Sequence, residues 1–160
     1  MISRNWIALP CICLFALALS SSLPGADDHD HDHPTAGPHG GSLVELGDEE
    51  YHAEFLLKDK THEVVVHILD SSAKKVVPIR EPELLLNLKT AGKPKQYKLA
   101  ATPEKTDPKG SSSRFVLKDE KLVHILHEKN VAPQMRVKIN NRSYNGKVDL
   151  AHHHDHDHKH

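Results

Sequence analysis

The chain has 160 residues with 21 basic and 22 acidic side chains, so its net charge of -1 provides no basic field for nucleic acid or anionic lipid. Aromatic residues make up only 4% of the sequence, too few for a platform that stacks on bases or sugars. Histidine departs from this ordinary composition, because the chain contains 15 of them. The histidines are therefore the main indication of function.

Residues 1–22 have the pattern of a signal peptide. Arg4 lies in a short polar start, residues 6–19 are almost all apolar, and small residues follow. The apolar run is shorter than the roughly 20 residues that a membrane-spanning helix needs. Cleavage after Ser22 fits the preference for small residues, and cleavage after Ala26 is the alternative. The pattern predicts export to the periplasm or the medium, with no membrane span after the leader is removed.

Both cysteines, Cys11 and Cys13, lie inside the predicted leader. The exported chain would therefore have neither a disulfide nor a thiolate metal site. A lipoprotein acylated on one of these cysteines is a weaker alternative, because both precede or lie inside the apolar run. Any metal site would then depend on imidazoles and carboxylates.

Two segments of biased composition follow the leader and end the chain. Residues 27–38 are DDHDHDHPTAGP, and residues 151–160 are AHHHDHDHKH. Neither has the apolar side chains that would offset the entropy of ordering, so we expect both to be disordered arms. An engineered tag is the alternative explanation of the second segment. Its alternation of His and Asp repeats that of the first segment, which favours a native origin.

Residues 39–150 are predicted to form one domain of 112 residues, a common size for a single hydrophobic core. Short apolar or alternating segments bounded by turn residues predict strands at 43–46, 51–57, 62–69, 75–79, 83–88, 96–101, 114–118, 135–139 and 143–149. One short helix is predicted within residues 119–128, where Leu122, Ile125 and Leu126 recur at helical spacing behind a candidate cap at Asp119.

These nine candidate segments, of which seven or eight are expected to form strands, predict an all-β fold, a small antiparallel β-sandwich of immunoglobulin-like type. Asn140 and Asn141 suit a tight turn between the last two strands, because asparagine tolerates positive φ angles. Pro78 and Pro82 predict strand edges or breaks. The residues predicted to hold the two layers together are Val64, Val66, Ile68, Leu84, Leu86, Phe115, Val137 and Ile139.

The two arms carry the strongest pattern for metal binding. Histidine side chains are mostly deprotonated at neutral pH, and neutral imidazole binds Zn²⁺, Cu²⁺, Ni²⁺ and Co²⁺. The interleaved aspartates attract cations and accept the second ring N–H of a liganding histidine. The predicted ligands in the arms are His29, His31, His33, His152, His153, His154, His156, His158 and His160. Since ordering a flexible ligand costs entropy, we expect several weak, exchangeable sites. A solvated tail that only improves solubility is the alternative.

A sharper site in the first arm depends on the cleavage point. If the leader is cut after Ala26, the chain begins Asp27-Asp28-His29. The amine, two backbone nitrogens and the imidazole of His29 would then form a square-planar site for Cu²⁺ or Ni²⁺. Cleavage after Ser22 would remove this site.

A second candidate site lies in the domain. His52 and Glu54 are two residues apart in a predicted strand and share one face, and the glycines after His39 let the chain bend so that His39 can approach them. The three would supply two nitrogens and one oxygen. An ordinary polar strand face is the alternative, because it has the same two-residue spacing.

The remaining histidines of the domain are predicted to have structural roles. His62 and His67 would lie on opposite faces of one strand, so they cannot share an ion and are interpreted as strand residues. His124 and His127 would share a helix face, which permits a weak site, but packing is the favoured role. The sequence contains no Gly-x-Ser-x-Gly, phosphate-loop or His-Glu-x-x-His motif. We therefore predict that the protein is not an enzyme.

The succession PHGGSLVELGDEEYHAEFLLKD, VVVHILD, KKVVPI, ELLLNL and MRVKINNRSYNGKVD between two histidine-rich ends resembles small exported histidine-rich proteins of planctomycete-type bacteria. It is also similar to the histidine-bearing N-terminal domain of some periplasmic adaptor subunits of heavy-metal efflux pumps. The resemblance covers residues 39–149 and the arms, and it places His39, His52 and Glu54 at the HGG and H-x-E positions. It implies a module that captures or hands over metal ions. These 160 residues do not include the other domains of an adaptor, so a complete adaptor is not expected.

These observations predict an exported, non-catalytic metal-binding protein that buffers, scavenges or delivers Zn²⁺, Cu²⁺, Ni²⁺ or Co²⁺ in heavy-metal homeostasis of the cell envelope. Its partners would be the ions and an envelope protein such as a metal efflux component. The alternative is an envelope β-sandwich that binds a protein partner and uses its histidines as a pH sensor. A metal-dependent hydrolase is the weaker alternative.

Overall fold

The computed structural model describes residues 36–90 and 92–150. The predicted leader, nearly all of the N-terminal arm and the C-terminal tail lie outside the described residues. Within these two ranges, eight strands and one helix follow in chain order: β1 (Ser42–Leu46), β2 (Tyr51–Lys58), β3 (Glu63–Asp70), β4 (Glu83–Thr90), β5 (Lys93–Ala101), β6 (Arg114–Lys118), α1 (Glu120–Leu126), β7 (Gln134–Ile139) and β8 (Arg142–Lys147). No helix within the described ranges is long and apolar enough to span a lipid bilayer.

All eight strands belong to one antiparallel sheet with the order β1-β2-β3-β6-β5-β4-β7-β8. The sheet curls until its two end strands lie against each other, since a Cβ added to Gly146 of β8 would stand 2.9 Å from the carbonyl oxygen of Glu45 in β1. No strand pairing joins β1 to β8 among the described residues, so the sheet is a nearly closed barrel. The predicted small antiparallel all-β fold is confirmed, and its two layers are opposite sides of one curled sheet.

The strands bury alternate residues, as a half-exposed sheet requires. In β7 every second residue is buried, and in β2 Ala53 and Phe55 face the core. The stretch Val64–Leu69 of β3 is buried on both faces. Another part of the chain must therefore pack on the outer face of β3. The candidate site lies where it does so.

The predicted core is confirmed, because all eight residues expected to form it belong to the buried hydrophobic cluster. Leu122 and Leu126 of α1 join the same cluster. The predicted helix cap is confirmed as well, since the Asp119 carboxylate accepts a 2.9 Å hydrogen bond from the backbone N–H of Leu122. Asn140 and Asn141 have φ angles of 49° and 66° in the turn before β8, as predicted.

Two local predictions differ from the structure. Residues 75–79 form no strand and make only isolated bridges, one between Leu69 and Val76 and one between Ile79 and Ser112. Pro78 lacks the N–H that a ladder needs, which explains why pairing stops there. β5 begins three residues earlier than predicted, so Pro94 lies within the strand. It is tolerated because β6 pairs only with Ala100 and Ala101 of β5, which leaves the first half of β5 hydrogen-bonded on one side.

Candidate metal centre

The site begins with a carboxylate on the outer face of the sheet. Because side chains alternate along β2, Glu54 points away from the core that Ala53 and Phe55 face. The register of β2 and β3 pairs Glu54 directly with His67. Side chains of directly paired residues project from the same face with their Cβ atoms about 5 Å apart. Strand pairing therefore sets a carboxylate beside an imidazole.

A tight turn folds over this pair. Ala36 bridges to Ser42, and the carbonyl of Gly37 accepts a 3.0 Å hydrogen bond from the N–H of Gly40. Pro38 occupies the second position of this turn and Gly40 the fourth, an arrangement favoured in type I turns. His39 consequently lies at the tip of the turn.

Two glycines allow the turn to lie directly on β2. A Cβ added to Gly37 would stand 2.5 Å from Cδ of Glu54, and one added to Gly41 would stand 2.6 Å from the carbonyl oxygen of Phe55. Real side chains do not approach so closely, so only glycine fits at both positions. The close contact buries Glu54 completely, with 0% of the residue exposed.

The turn supplies hydrogen bonds for the carboxylate that it buries. The backbone N–H groups of His39 and Gly41 donate to Glu54 Oε1 at 2.6 and 3.0 Å. His39 Nδ1 lies 2.6 Å from Glu54 Oε2. A buried carboxylate is tolerated only when such donors replace water. The turn and the carboxylate therefore stabilise each other.

His67 is the third member of the cluster and is only 5% exposed. Its ring stacks on that of His39, with 4.1 Å between the centroids and 18° between the planes. Burial lowers the pKa of His67, His39 lowers it further, and the opposing effects of Glu54 and Glu104 are smaller. The lowered pKa favours the neutral form of the imidazole. Its buried Nδ1 has no hydrogen-bond partner and lies 3.9 Å from Glu54 Oε2.

His39, Glu54 and His67 each offer one ligand atom, and these atoms lie within 4.8 Å of one another. Two imidazole nitrogens and one carboxylate oxygen form a donor set that could hold a divalent transition-metal ion and leave a further position open. Among the residues that the structure describes, no other group of three or more His, Cys, Asp or Glu side chains is this close. The prediction that His39 approaches Glu54 agrees with this geometry.

The structure places His52 outside the cluster. It shares the face of Glu54 but lies two residues along β2, about 7 Å away at the usual rise of a strand. Its Nδ1 is 3.2 Å from the carbonyl oxygen of Asp70, and the ring is buried. The predicted arm ligands His29, His31, His33, His152, His153, His154, His156, His158 and His160 lie outside the described residues.

Sequence reasoning assigned His67 to a structural role and so missed a member of the cluster. No close group of three or more ligand side chains in the described chain includes His62, and His67 meets Glu54 and His39 instead. One signal was available: a histidine within the run VVVHILD is a buried polar group that needs a partner. His62 lies before β3 in a turn, with a φ angle of 54°.

The last two histidines of the domain lie around α1, away from the cluster. His127 caps the helix, and its Nε2 is 2.7 Å from Oδ1 of Asp59. His124, His62 and Asp59 line the same surface groove. His124 and His127 belong to no close group of three or more ligand side chains in the described chain, so the structure adds no support for the weak site considered for them.

Comparison with protein-family models, curated protein sequences and solved structures finds no match to this chain. The resemblance to efflux-adaptor domains therefore stays a prediction.

Proposed function

We propose that this protein is a non-catalytic metal-binding protein whose folded domain holds a divalent transition-metal ion between His39, Glu54 and His67. The observation that carries the proposal is the unpaired Nδ1 of His67, a buried polar atom that faces a carboxylate and a second imidazole. Buried polar atoms without a partner are rare in proteins, and a bound ion is one explanation for them. The ion would accept the lone pair that no hydrogen bond uses.

The donor set favours particular ions. Imidazole and carboxylate suit Zn²⁺, Cu²⁺, Ni²⁺ and Co²⁺, whereas Ca²⁺ and Mg²⁺ prefer six or more oxygen ligands and Cu⁺ prefers sulfur. His39 has a side chain that is 45% exposed and so gives an ion a route from solvent. Glu54 supplies one negative charge against the two positive charges of the ion. We infer a borderline divalent metal, with Zn²⁺ as the first ion to test.

The cellular role follows from the sequence pattern. The leader supports export to the periplasm or the medium, and the histidine-rich arms support additional weak sites on the same chain. We propose that the protein buffers, scavenges or delivers metal ions in the envelope, with a metal efflux component as a candidate partner. The arms would raise the number of ions bound per chain. The domain site would bind its ion more tightly than the arms do, because its ligands are already ordered.

Calorimetric titration with Zn²⁺ tests the domain site. In a full-length variant in which the nine arm histidines are serine, we expect one equivalent of Zn²⁺ to bind. His67→Gln in this background should abolish that binding, because a ligand is lost. His52→Ala is the matched control, since His52 is also a buried histidine of the sheet, and it should leave binding intact.

Two results would contradict the proposal. Retention of the single site in the His67→Gln variant would show that the ion binds elsewhere. Absence of binding by the arm-substituted variant to Zn²⁺, Cu²⁺, Ni²⁺ and Co²⁺ would leave the domain as an interaction module and restrict metal binding to the arms.

A further inference from the structure

Glu104 lies on the side of the His67 ring opposite to Glu54. Glu104 Oε1 is 3.9 Å from His67 Nε2, and Glu54 Oε2 is 3.9 Å from His67 Nδ1. The ring therefore lies between two carboxylates, of which only Glu54 belongs to the ligand cluster. The sequence offers no reason to single out Glu104, because it lies between β5 and β6 in a loop without a metal motif.

Hydrogen bonds connect the loop that carries Glu104 to the start of β6. The N–H of Glu104 donates to Asp107 Oδ2 at 2.8 Å, and the N–H of Asp107 donates to the Glu104 carbonyl at 3.0 Å. Ser113 donates to Asp107 Oδ2 from its N–H at 2.9 Å and from its hydroxyl at 3.1 Å. Ser113 directly precedes β6, in which Arg114 pairs with His67 of β3. Hydrogen bonds therefore hold the backbone of Glu104 close to His67.

Two features favour Glu104 over Glu54 as the partner of the proton on His67. Glu54 already accepts three hydrogen bonds from the turn, two of them from His39 and one from Gly41. Within the described chain the Glu104 carboxylate accepts no hydrogen bond, its side chain is half-exposed, and its ion-pair neighbour Arg114 stands 3.7 Å away, from Nε to Oε1. A shift of about 1 Å would bring Glu104 into hydrogen-bond range of His67 Nε2. A bound ion would occupy Glu54 and leave Glu104 as the nearby carboxylate for that N–H.

We propose that Glu104 is a positioning residue that keeps the proton of His67 on Nε2 and directs the Nδ1 lone pair at the cluster. This inference rests on the proposed function, because a lone pair on Nδ1 matters only if an ion binds there. Liganding histidines usually donate their other ring N–H to a carboxylate or carbonyl, which fixes the tautomer and makes the ligand more basic. Glu104 does not itself contact the ion in this arrangement.

Glu104→Gln tests the inference in full-length protein whose arm histidines are serine. We expect Zn²⁺ affinity to fall about 10-fold to 100-fold, the usual loss when the partner of a liganding histidine is removed. Glu128→Gln is the matched control, because it removes the same charge from an exposed glutamate that follows α1. Its Zn²⁺ affinity should stay within about two-fold, since one distant surface charge has little effect in physiological salt.

The tautomer of His67 provides a second measurement that needs no metal. Long-range ¹H–¹⁵N NMR of the metal-free protein should show His67 with its proton on Nε2, and Glu104→Gln should shift the population toward Nδ1–H. A wild-type ring protonated on Nδ1, or a tautomer unaltered by Glu104→Gln, would overturn the inference. Equal losses of affinity in Glu104→Gln and Glu128→Gln would overturn it too, because charge alone would then explain both.

The two proposals fail in distinguishable ways. If the arm-substituted protein and its Glu104→Gln variant bind Zn²⁺ equally, the positioning role is refuted and the domain site stands. If the arm-substituted protein binds no metal, the proposed function of the domain fails, and the tautomer measurement still decides whether Glu104 orients His67.

Discussion

Glu54 and His67 are two buried polar residues whose burial bears on the proposed function. Each lies on the outer face of a strand, where a polar side chain would ordinarily meet water, yet the turn before β1 covers them. The carboxylate is compensated by three hydrogen bonds, whereas His67 Nδ1 has none. Burying an unpaired polar atom costs roughly 1–3 kcal/mol. Such a cost is typical of sites where a ligand completes the bonding.

Asp107 is a residue whose charge supports the fold. Burial alone would raise the pKa of its carboxyl, but hydrogen bonds from the N–H groups of Ser113 and Glu104 and from the Ser113 hydroxyl outweigh burial and lower the pKa. A carboxyl with a lower pKa in the folded state than its ordinary 3.8 favours folding above that pH. This contribution is lost as the pH falls from 3.8 through the folded-state value.

We therefore expect acid to destabilise the wild-type protein more than the variant Asp107→Asn. The variant lacks the titrating group, so its midpoint of thermal unfolding should fall less between pH 5 and pH 2, although it starts lower at pH 5. Circular dichroism melts across this range at constant ionic strength measure the difference. If the unfolding midpoint falls by the same amount in both proteins, Asp107 does not contribute to acid sensitivity.

At the scale of an element, the turn of residues 37–41 makes the metal centre by covering one strand pair. Its backbone carries His39 to the cluster and donates two N–H groups to Glu54. The close approach depends on Gly41, whereas the side of Gly40 where a Cβ would project is open. Gly40 instead needs its positive φ of 81°, a conformation that asparagine also adopts.

Gly41→Ala should therefore lift the turn from β2 and weaken the site. The added methyl group would meet the backbone of Phe55, and relief of this overlap would cost about 1–3 kcal/mol of stability. Zn²⁺ affinity should fall at least 10-fold, because His39 and the donors to Glu54 move with the turn. Gly40→Asn is the control and should bind Zn²⁺ as the wild type does.

Urea denaturation and Zn²⁺ titration of both variants measure these effects. Normal Zn²⁺ affinity in Gly41→Ala would mean that the turn does not hold the cluster together. A large loss of Zn²⁺ affinity in Gly40→Asn would mean that the turn needs glycine for flexibility and not for close contact.

At the scale of the whole molecule, β6 joins the two parts of the sheet. It pairs with β3 on one side and β5 on the other, between a β1-β2-β3 part and a β5-β4-β7-β8 part. Phe115 of β6 is fully buried in the single core that both parts share. One core beneath one sheet implies that the two parts unfold together.

Phe115→Ala should lower the free energy of unfolding by about 3–5 kcal/mol. Both parts of the sheet should then unfold at a lower midpoint, in one transition. Val76→Ala is the control, because Val76 is an exposed apolar residue and its truncation should change stability by no more than about 0.5 kcal/mol. Far-ultraviolet circular dichroism and Zn²⁺ release should report the same midpoint in urea. Two separate transitions would show that the parts of the sheet are independent.

The sequence by itself determined the features that depend on short-range pattern. Alternation of apolar residues located most strands and all eight predicted core residues, and Asp119 marked the start of the helix. Two asparagines marked the turn before β8. These features could be predicted because strand periodicity, helix capping and turn geometry act over a few neighbouring residues.

Only the tertiary structure decided which residues meet at the site. His67 is 13 residues from Glu54 in the chain, and their contact depends on the register of β2 against β3. Glu104 reaches the other side of His67 because β6 pairs with β3. His52 lies on the same face of β2 as Glu54, but its Nδ1 is next to the carbonyl oxygen of Asp70 and not in the cluster. Strand order and register come from packing across the whole core, which no local pattern encodes.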